Sequence, residues 1–326
     1  MPALNTRAVV LLLAALIAGR VQAVVAANQE PQQAQRDSTL EEVLVTGEHP
    51  GPGLWKVSHG DHTLWILGTH APLPQRLIWR SQEVEWVMTE SQEVMGAYSV
   101  SFTLQGEDAL QSRGAALRTV LPRKAYSQWL KLKRKYIGRN PEVENLLPVS
   151  AALLLRSMAF EKAGLTNTDQ VWREIHSLAD RYNVPVTTRH QINRVVRNNA
   201  REDDSRAERV GVDYLLSTIQ DLEADLRAAR TRANAWATGD IDALRKQAEA
   251  DKISAYLYAS SWPFLQDGEL QALLSEADRR WVDAGASALI RNRTTFAALP
   301  IFLLLRSDGV LSALRTRGFV VEEPIY

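Results

Sequence analysis

The stretch that most restricts the fold is Leu54–Pro74, which reads LWKVSHGDHTLWILGTHAPLP. Its β-prone apolar residues form two short runs on either side of Gly60-Asp61, a pair typical of hairpin turns. The second run ends at the Gly68–His70 corner and is followed by two prolines. In α/β proteins the ends of strands often carry binding and catalytic groups. Gly68 and Thr69 are therefore predicted to line a pocket.

Composition restricts the class of protein. The chain has 326 residues, of which 45% are hydrophobic, so it can bury a substantial core. Lys and Arg together number 38, as do Asp and Glu, and this balance argues against a protein built mainly to bind nucleic acid or an anionic membrane surface. The basic run Lys131–Lys135 is interpreted as a solvated helix face. There is no cysteine, so disulfides and thiol chemistry are excluded.

The N-terminus resembles an export signal. Arg7 precedes the apolar run Ala8–Gly19, and small residues suited to cleavage follow before position 28. An uncleaved membrane anchor is the alternative, but the run is shorter than the ~20 residues that a spanning helix needs. The sequence therefore predicts a signal peptide at residues 1–27, a periplasmic or secreted mature protein, and no transmembrane segment after cleavage.

A polar segment, residues 28–52, separates this signal from the folded region. It is rich in Gln, Glu and Pro and is predicted to be a flexible lead-in, with the domain beginning at residue 53. Its STLEEVLVTG portion looks like the segment that opens many mature outer-membrane transport receptors. An interaction tail is therefore the alternative to a linker.

The remaining pattern predicts strands at both ends of a helical middle. Leu77–Val84 is predicted to be a short helix and Trp86–Glu90 a buried strand that ends in a carboxylate. The further predicted helices are Asp108–Leu117, Arg123–Tyr136, Ser150–Ala163, Asp169–Tyr182, Arg206–Trp236, Ile241–Ala250, Glu269–Ile290 and Ile301–Arg317. The further predicted strands are Val184–Thr188, Thr294–Leu299 and Phe319–Glu322. This order favours a single α/β domain with a small central sheet and a large helical insertion.

Histidines and carboxylates are the candidate catalytic and metal-binding residues. His59 and His62 flank the hairpin turn, whereas His70 lies roughly 25 Å away along the strand, too far to share a metal ion. His70 and Glu90 are both predicted to end strands of one sheet, so they could meet at its edge as a general acid/base pair or as part of a hydrolytic zinc site. His190 is a possible third ligand. Gly-x-Ser-x-Gly, Gly-x-Gly-x-x-Gly and Walker-type motifs are absent.

Four segments together resemble the TraB/GumN family, which is related to the Tiki proteins. They are GLWKVSHGDHTLWILGTHAPLP, VMTE at Val87–Glu90, AWATGD at Ala235–Asp240, and TTFAALPIFLLLRSDGVLSALRTRGF at Thr294–Phe319. The resemblance spans Gly53–Pro324. It implies the family's α/β fold and the activity described for its members, that of a metal-dependent hydrolase or protease. The hallmarks of that family are two Gly-x-x-His motifs and a glutamate on an early strand.

The motif histidines of the family are not matched in this chain. The glutamate corresponds to Glu90, and the first motif begins at Gly68, which places its histidine at Ala71. His70 lies one residue earlier, and a shift of one residue on a strand turns a side chain to the opposite face. The second motif places its glycine at Pro300 and its histidine at Leu303. Where the family often carries an Arg-Asn pair ahead of a tryptophan, this chain has Ala277-Asp278 ahead of Trp281.

Three functional hypotheses follow. The first is an exported, non-catalytic family member without a cofactor that binds a ligand, or a protein or peptide partner in the cell envelope. The alternative is a hydrolase or peptidase whose site is rebuilt around His70 and Glu90, with or without a divalent metal such as zinc or manganese. The third is an interaction protein that acts through the Arg206–Trp236 helix or the lead-in.

Overall fold

The computed structural model describes residues 10–12, 44–105, 116–187, 191–197, 203–248 and 269–324. Its strands are β1 (Val10–Leu12), β2 (Gly47–His49), β3 (Trp55–His59), β4 (His62–Thr69), β5 (Leu73–Pro74), β6 (Leu77–Trp79), β7 (Val94–Met95), β8 (Ser99–Gln105), β9 (Leu165–Thr166), β10 (Val186–Thr187), β11 (Gln191–Arg197), β12 (Thr294–Pro300) and β13 (Val320–Glu322). Its helices are α1 (Gln82–Glu90), α2 (Leu117–Val120), α3 (Arg123–Tyr136), α4 (Pro148–Lys162), α5 (Gln170–Tyr182), α6 (Asp203–Thr238), α7 (Ile241–Ala248), α8 (Glu269–Arg291), α9 (Ile301–Leu305) and α10 (Val310–Thr316). The predicted α/β class is confirmed.

The central sheet has six strands in the order β10-β7-β12-β4-β3-β13. Its middle is parallel, because β12 pairs with β4 from Thr294↔Thr63 to Pro300↔Thr69. The hairpin β3–β4 is antiparallel, as the sequence predicted, and His59 pairs with His62 across its turn. Gly60 in that turn has φ +62°, a conformation that glycine adopts without strain. The hairpin prediction is therefore confirmed.

The two elements predicted after the hairpin are wrong. Leu77–Val84 is a strand, β6, followed by the beginning of helix α1. The Ser81 hydroxyl caps that helix by accepting a hydrogen bond from the Val84 N–H. Trp86–Glu90, predicted to be a strand, is the C-terminal half of the same helix. The buried residues of this helix, Val84, Val87 and Met88, have helical spacing. The short apolar run within it suited a strand equally well, so the sequence prediction did not use that spacing.

The helical middle follows the predictions closely. Helix α3 has the predicted bounds, and α4 to α8 agree within a few residues. The predicted helix Ile301–Arg317 is instead two helices, α9 and α10, because Ser307–Gly309 forms a turn between them. Most of the predicted helix Asp108–Leu117 lies outside the described residues.

Two buried clusters share helix α6. One lies between the central sheet and the helices that cover it, and the other packs α3, α4 and most of α6 together in the helical insertion. Leu215 and Leu222 of α6 lie in the insertion cluster, whereas Trp236 near its end lies in the sheet cluster. The long helix therefore joins the insertion to the sheet within a single domain.

The predicted flexible lead-in is ordered where the structure describes it. Strand β2 pairs in parallel with β6, and the Trp79 Nε1–H donates to the Pro50 carbonyl at 2.8 Å. The Val45 N–H donates to Asn234 Oδ1 at 3.0 Å. The prediction of a tether is therefore wrong for residues 44–52, because their backbone groups are bonded to the domain. Residues 28–43 lie outside the described residues.

Most of the predicted signal peptide also lies outside the described residues. Its one described segment, β1, pairs antiparallel with β8 in a separate three-stranded sheet. Among the described residues, no helix is both long enough and apolar enough to cross a membrane.

Candidate functional site

The Gly68–His70 corner lies at the carboxyl edge of the parallel strands. The register of β4 and β12 pairs Gly68 with Leu299 and Thr69 with Pro300. The two chain segments that correspond to the family motifs are therefore side by side, although 232 positions separate Gly68 from Pro300. The ends of β4 and β12 therefore meet at this corner.

Tight packing closes this corner. The carbonyl of Gly68 accepts a hydrogen bond from the buried Trp236 Nε1–H at 2.7 Å. A Cβ at position 68 would lie 2.7 Å from Ile301 Cγ1, which is closer than real Cβ contacts allow. Glycine is needed here because the side chain of Ile301 occupies the space above it. Gly68 thus allows close packing against Ile301.

His70 is held in its neutral form. Its Nε2 atom is buried and has no hydrogen-bond partner among the described residues, although part of the residue reaches the surface. Burial, together with the nearby positive charge of Arg232, lowers the pKa of His70 to about 3. A general base works best with a pKa near the operating pH, so this imidazole is a poor base near neutrality.

Glu90 lies far from His70, and the predicted meeting of the two residues is wrong. Glu90 is exposed at the end of α1, two residues before Gln92, whose N–H donates to the Thr294 carbonyl at 2.9 Å. Thr294 begins β12 and is level with Thr63, at the amino edge of the parallel strands. Seven residues of extended chain, about 23 Å, separate that level from His70. The error follows from the helix having been predicted as a strand.

The other motif positions do not supply metal ligands. Leu303 is 6% exposed within the apolar core, and Ala71 has a methyl side chain at the surface. Within the described ranges, no group of three or more His, Cys, Asp and Glu residues could hold a metal ion. A hydrolytic zinc site needs three protein ligands and an open position. The described residues of the corner therefore do not fit the metal that the family resemblance implies. His190 lies outside the described residues.

The sequence prediction missed a polar network at the same edge. The Tyr98 hydroxyl donates to Asp278 Oδ1 at 2.6 Å, and Arg306 Nη1 donates to Asp278 Oδ2 at 3.1 Å. Arg306 Nε also donates to Asp308 at 3.1 Å. Burial and the Asp278 carboxylate raise the pKa of Tyr98, so the phenol stays protonated. The network joins the segment after β7, helix α8 and the turn after α9.

Tyr98 also bears on the family's early-strand glutamate. The strand of this region is β7, and the residues that follow it are Gly96, Ala97 and Tyr98. The resemblance had placed that glutamate at Glu90, which lies in helix α1, and the polar side chain that follows β7 is the phenol of Tyr98. The signal that could have located it is a polar aromatic residue just after the short apolar run Val94–Met95.

A second feature is a cavity of about 240 Å³ between the start of α1 and helix α5. It is lined by Trp79, Arg80, Ser81, Glu85, Glu174, Leu178 and Arg181. None of the predicted site residues lines it.

Taken together, the fold and the corner define an α/β protein in which two motif segments lie on adjacent parallel strands. Residues 53–323 match the model of the TraB/PrgY/gumN family, and the chain belongs to that family. Comparisons with curated proteins and with solved structures gave no match.

Proposed function

We propose that this protein is an exported, non-catalytic member of the TraB/PrgY/gumN family that binds a ligand or a partner in the cell envelope. The observation that carries the proposal is the packing of the two motif segments. Their backbones are neighbours on adjacent strands, yet Leu303 is buried in the apolar core and Ile301 occupies the space above Gly68. The family scaffold is retained, whereas its ligand positions are apolar.

Chemistry at the corner supports the same conclusion. Metal-assisted hydrolysis needs several ligands and a site for an attacking water. Neither position of the family's motif histidines, Ala71 or Leu303, has an imidazole. The neighbouring residue His70 has one, but its Nε2 atom is buried. Because Glu90 lies near the opposite edge, it cannot join His70 in an acid/base pair. The alternative of a site rebuilt around these two residues is therefore disfavoured.

Exposed aromatic surface supports a binding role. Trp86 on α1 is 59% exposed and packs edge-to-face against Trp65 of the central sheet, with ring centroids 6.5 Å apart. Tryptophan is enriched where proteins bind partners, because it offers a large rigid surface at low entropic cost. The apolar stripe of the Arg206–Trp236 helix gives less support to partner binding, because its described leucines are buried within the domain.

The test of the proposal is metal binding and hydrolysis by the purified mature protein. After equilibration with zinc or manganese and desalting, we expect far less than one metal ion per chain by elemental analysis. We also expect no cleavage of a peptide library above a buffer blank.

Two variants make this test specific. His70→Ala and Glu90→Gln should be indistinguishable from the parent protein in metal content and hydrolysis. Stoichiometric metal bound with micromolar affinity, or a hydrolysis that His70→Ala abolishes, would overturn the proposal. Export is tested separately by fractionating cells and determining the N-terminus of the mature chain, which we expect near residue 28.

A further inference from the structure

The cavity between α1 and α5 has an apolar floor and a charged rim. Trp79 and Leu178 are buried, with exposures of 6% and 4%, and provide the floor. Its volume of about 240 Å³ lies below the roughly 300–1,000 Å³ of pockets for drug-sized molecules. A ligand of this cavity must therefore be small, of the size of one amino-acid side chain.

Both guanidinium groups of the rim already have carboxylate partners. Arg181 Nη1 donates to Glu85 Oε1 at 3.1 Å, and the Tyr182 hydroxyl donates to the same oxygen at 3.0 Å. Arg80 forms an ion pair with Glu48 of β2 at 3.4 Å. Because these partners compensate their charge, the two arginines offer little attraction to an anion.

Glu174 differs from the other charged groups of the rim. It is half-buried on α5 and lines the cavity, but it has no hydrogen bond or ion pair with any other described residue. The lining contains two guanidinium groups and two carboxylates, and Arg80 is paired with Glu48 outside the lining, so Glu174 is the lining carboxylate without a counter-charge. A partly desolvated carboxylate without a partner is unfavourable, and a cation would relieve that cost.

We propose that this cavity binds an alkylammonium group, with Glu174 as the counter-ion and with Trp79 and Leu178 in contact with the alkyl stem. The tryptophan ring would add a favourable cation–π term. A free alkylamine and a lysine side chain of a peptide share this chemistry. The proposal is independent of the corner, since it holds whether or not the corner supports hydrolysis.

To test the proposal, the mature protein is titrated with n-butylamine, and binding is measured by isothermal titration calorimetry or by the NMR chemical shifts of the Trp79 indole. We expect saturable binding of n-butylamine, and at least tenfold weaker binding of n-butanol, which has the same stem without the charge. Glu174→Gln should weaken n-butylamine binding about tenfold, and Glu174→Asp should have an intermediate effect. Asp180→Asn is the matched control, because it removes an exposed carboxylate from the same helix outside the cavity lining.

A second arm distinguishes the source of the ammonium group. N-acetyl-lysine-methylamide should bind more tightly than n-butylamine if a peptide lysine is the ligand, and no more tightly if a free amine is. The proposal is overturned if n-butanol binds as well as n-butylamine, if n-butylamine does not bind at millimolar concentration, or if Glu174→Gln binds like the parent protein. Circular dichroism verifies that each variant is folded.

Discussion

Two sites at opposite edges of the parallel strands differ in whether their polar side chains have hydrogen-bond partners. At the amino edge, Glu93 accepts hydrogen bonds from Thr187 at 2.6 Å, Arg291 at 2.6 Å and Asn292 at 3.0 Å. At the carboxyl edge, the Gly68–His70 corner is enclosed by Trp236 and apolar side chains, and His70 Nε2 has no partner among the described residues. The Gly68–His70 corner lies at the edge where α/β proteins usually bind ligands, yet it is more apolar than the Glu93 site.

Glu93 and His70 illustrate that difference through their pKa values. Burial tends to raise the pKa of Glu93, but the hydrogen bonds from Thr187, Arg291 and Asn292 outweigh it and hold the pKa below its ordinary value. Burial lowers the pKa of His70, and the charge of Arg232 adds to the effect. One site stabilises a charge, and the other excludes one. A lowered pKa alone does not therefore identify a catalytic group.

The largest effect is expected from Trp236→Ala. Removing this fully buried ring leaves a cavity and an unbonded Gly68 carbonyl, so we expect a loss of about 3–5 kcal/mol in the free energy of unfolding. Urea denaturation measures it. Trp86→Ala is the matched control, because Trp86 is 59% exposed and should cost much less. Equal costs for the two variants would show that the corner is not closed by Trp236.

Gly68→Ala should destabilise the protein by about 1–3 kcal/mol, because the added methyl group collides with Ile301. Gly285→Ala in α8 is the control, since its Cβ would meet only ordinary contacts at 3.5 Å and alanine favours a helix. Thermal or urea unfolding compares the two. A Gly68→Ala protein as stable as the parent would mean that the corner has free space.

Glu93→Gln should cost about 1–2 kcal/mol at pH 7, because it weakens charge-assisted hydrogen bonds at the amino edge. Since the folded pKa is below the unfolded one, this stabilisation is present above roughly pH 4.3 and is lost as the pH falls through the folded value. Urea unfolding between pH 3 and pH 7 should therefore show a smaller acid dependence in the variant. An unchanged acid dependence would contradict the assignment.

His70 should make the free energy of unfolding depend on pH in a less acidic range than Glu93 does. Its folded pKa of about 3 lies below the ordinary value of about 6.5, so the unfolded chain binds the proton first. Stability is then complete above pH 6.5 and falls toward pH 3, by at most about 1.4 kcal/mol per pH unit. His70→Gln should remove this slope between pH 5 and pH 6.5, whereas the same substitution at exposed His59 should retain it. A His70 imidazole that titrates near pH 6.5 by NMR would show that the corner is solvated.

The smallest effect is expected from Glu90→Gln. This carboxylate is exposed at the C-terminal end of α1, where a negative charge has no favourable helix-dipole interaction. We expect a change within about 0.5 kcal/mol in the free energy of unfolding. A loss comparable to that of Glu93→Gln would mean that Glu90 has a buried partner, and it would restore Glu90 as a site candidate.

Much of the fold could be predicted because local patterns were strong. The hairpin around Gly60 and helix α3 agree with their predictions, since turn chemistry and a 3.6-residue period are properties of neighbouring residues. The region Leu77–Glu90 was predicted incorrectly because short apolar runs suit a strand or a helix equally well. The capping contact from Ser81 to Val84 decided in favour of the helix.

The sequence by itself determined the α/β class, the family resemblance and the loss of both motif histidines, because these depend on residue identity and order. Only the tertiary structure showed that Glu90 and His70 lie near opposite edges, that Trp236 bonds to the Gly68 carbonyl, and that Tyr98 reaches Asp278. The partners in these two hydrogen bonds are separated by 168 and 180 positions in the chain. No local pattern encodes such pairs, since they depend on how the helices pack onto the sheet.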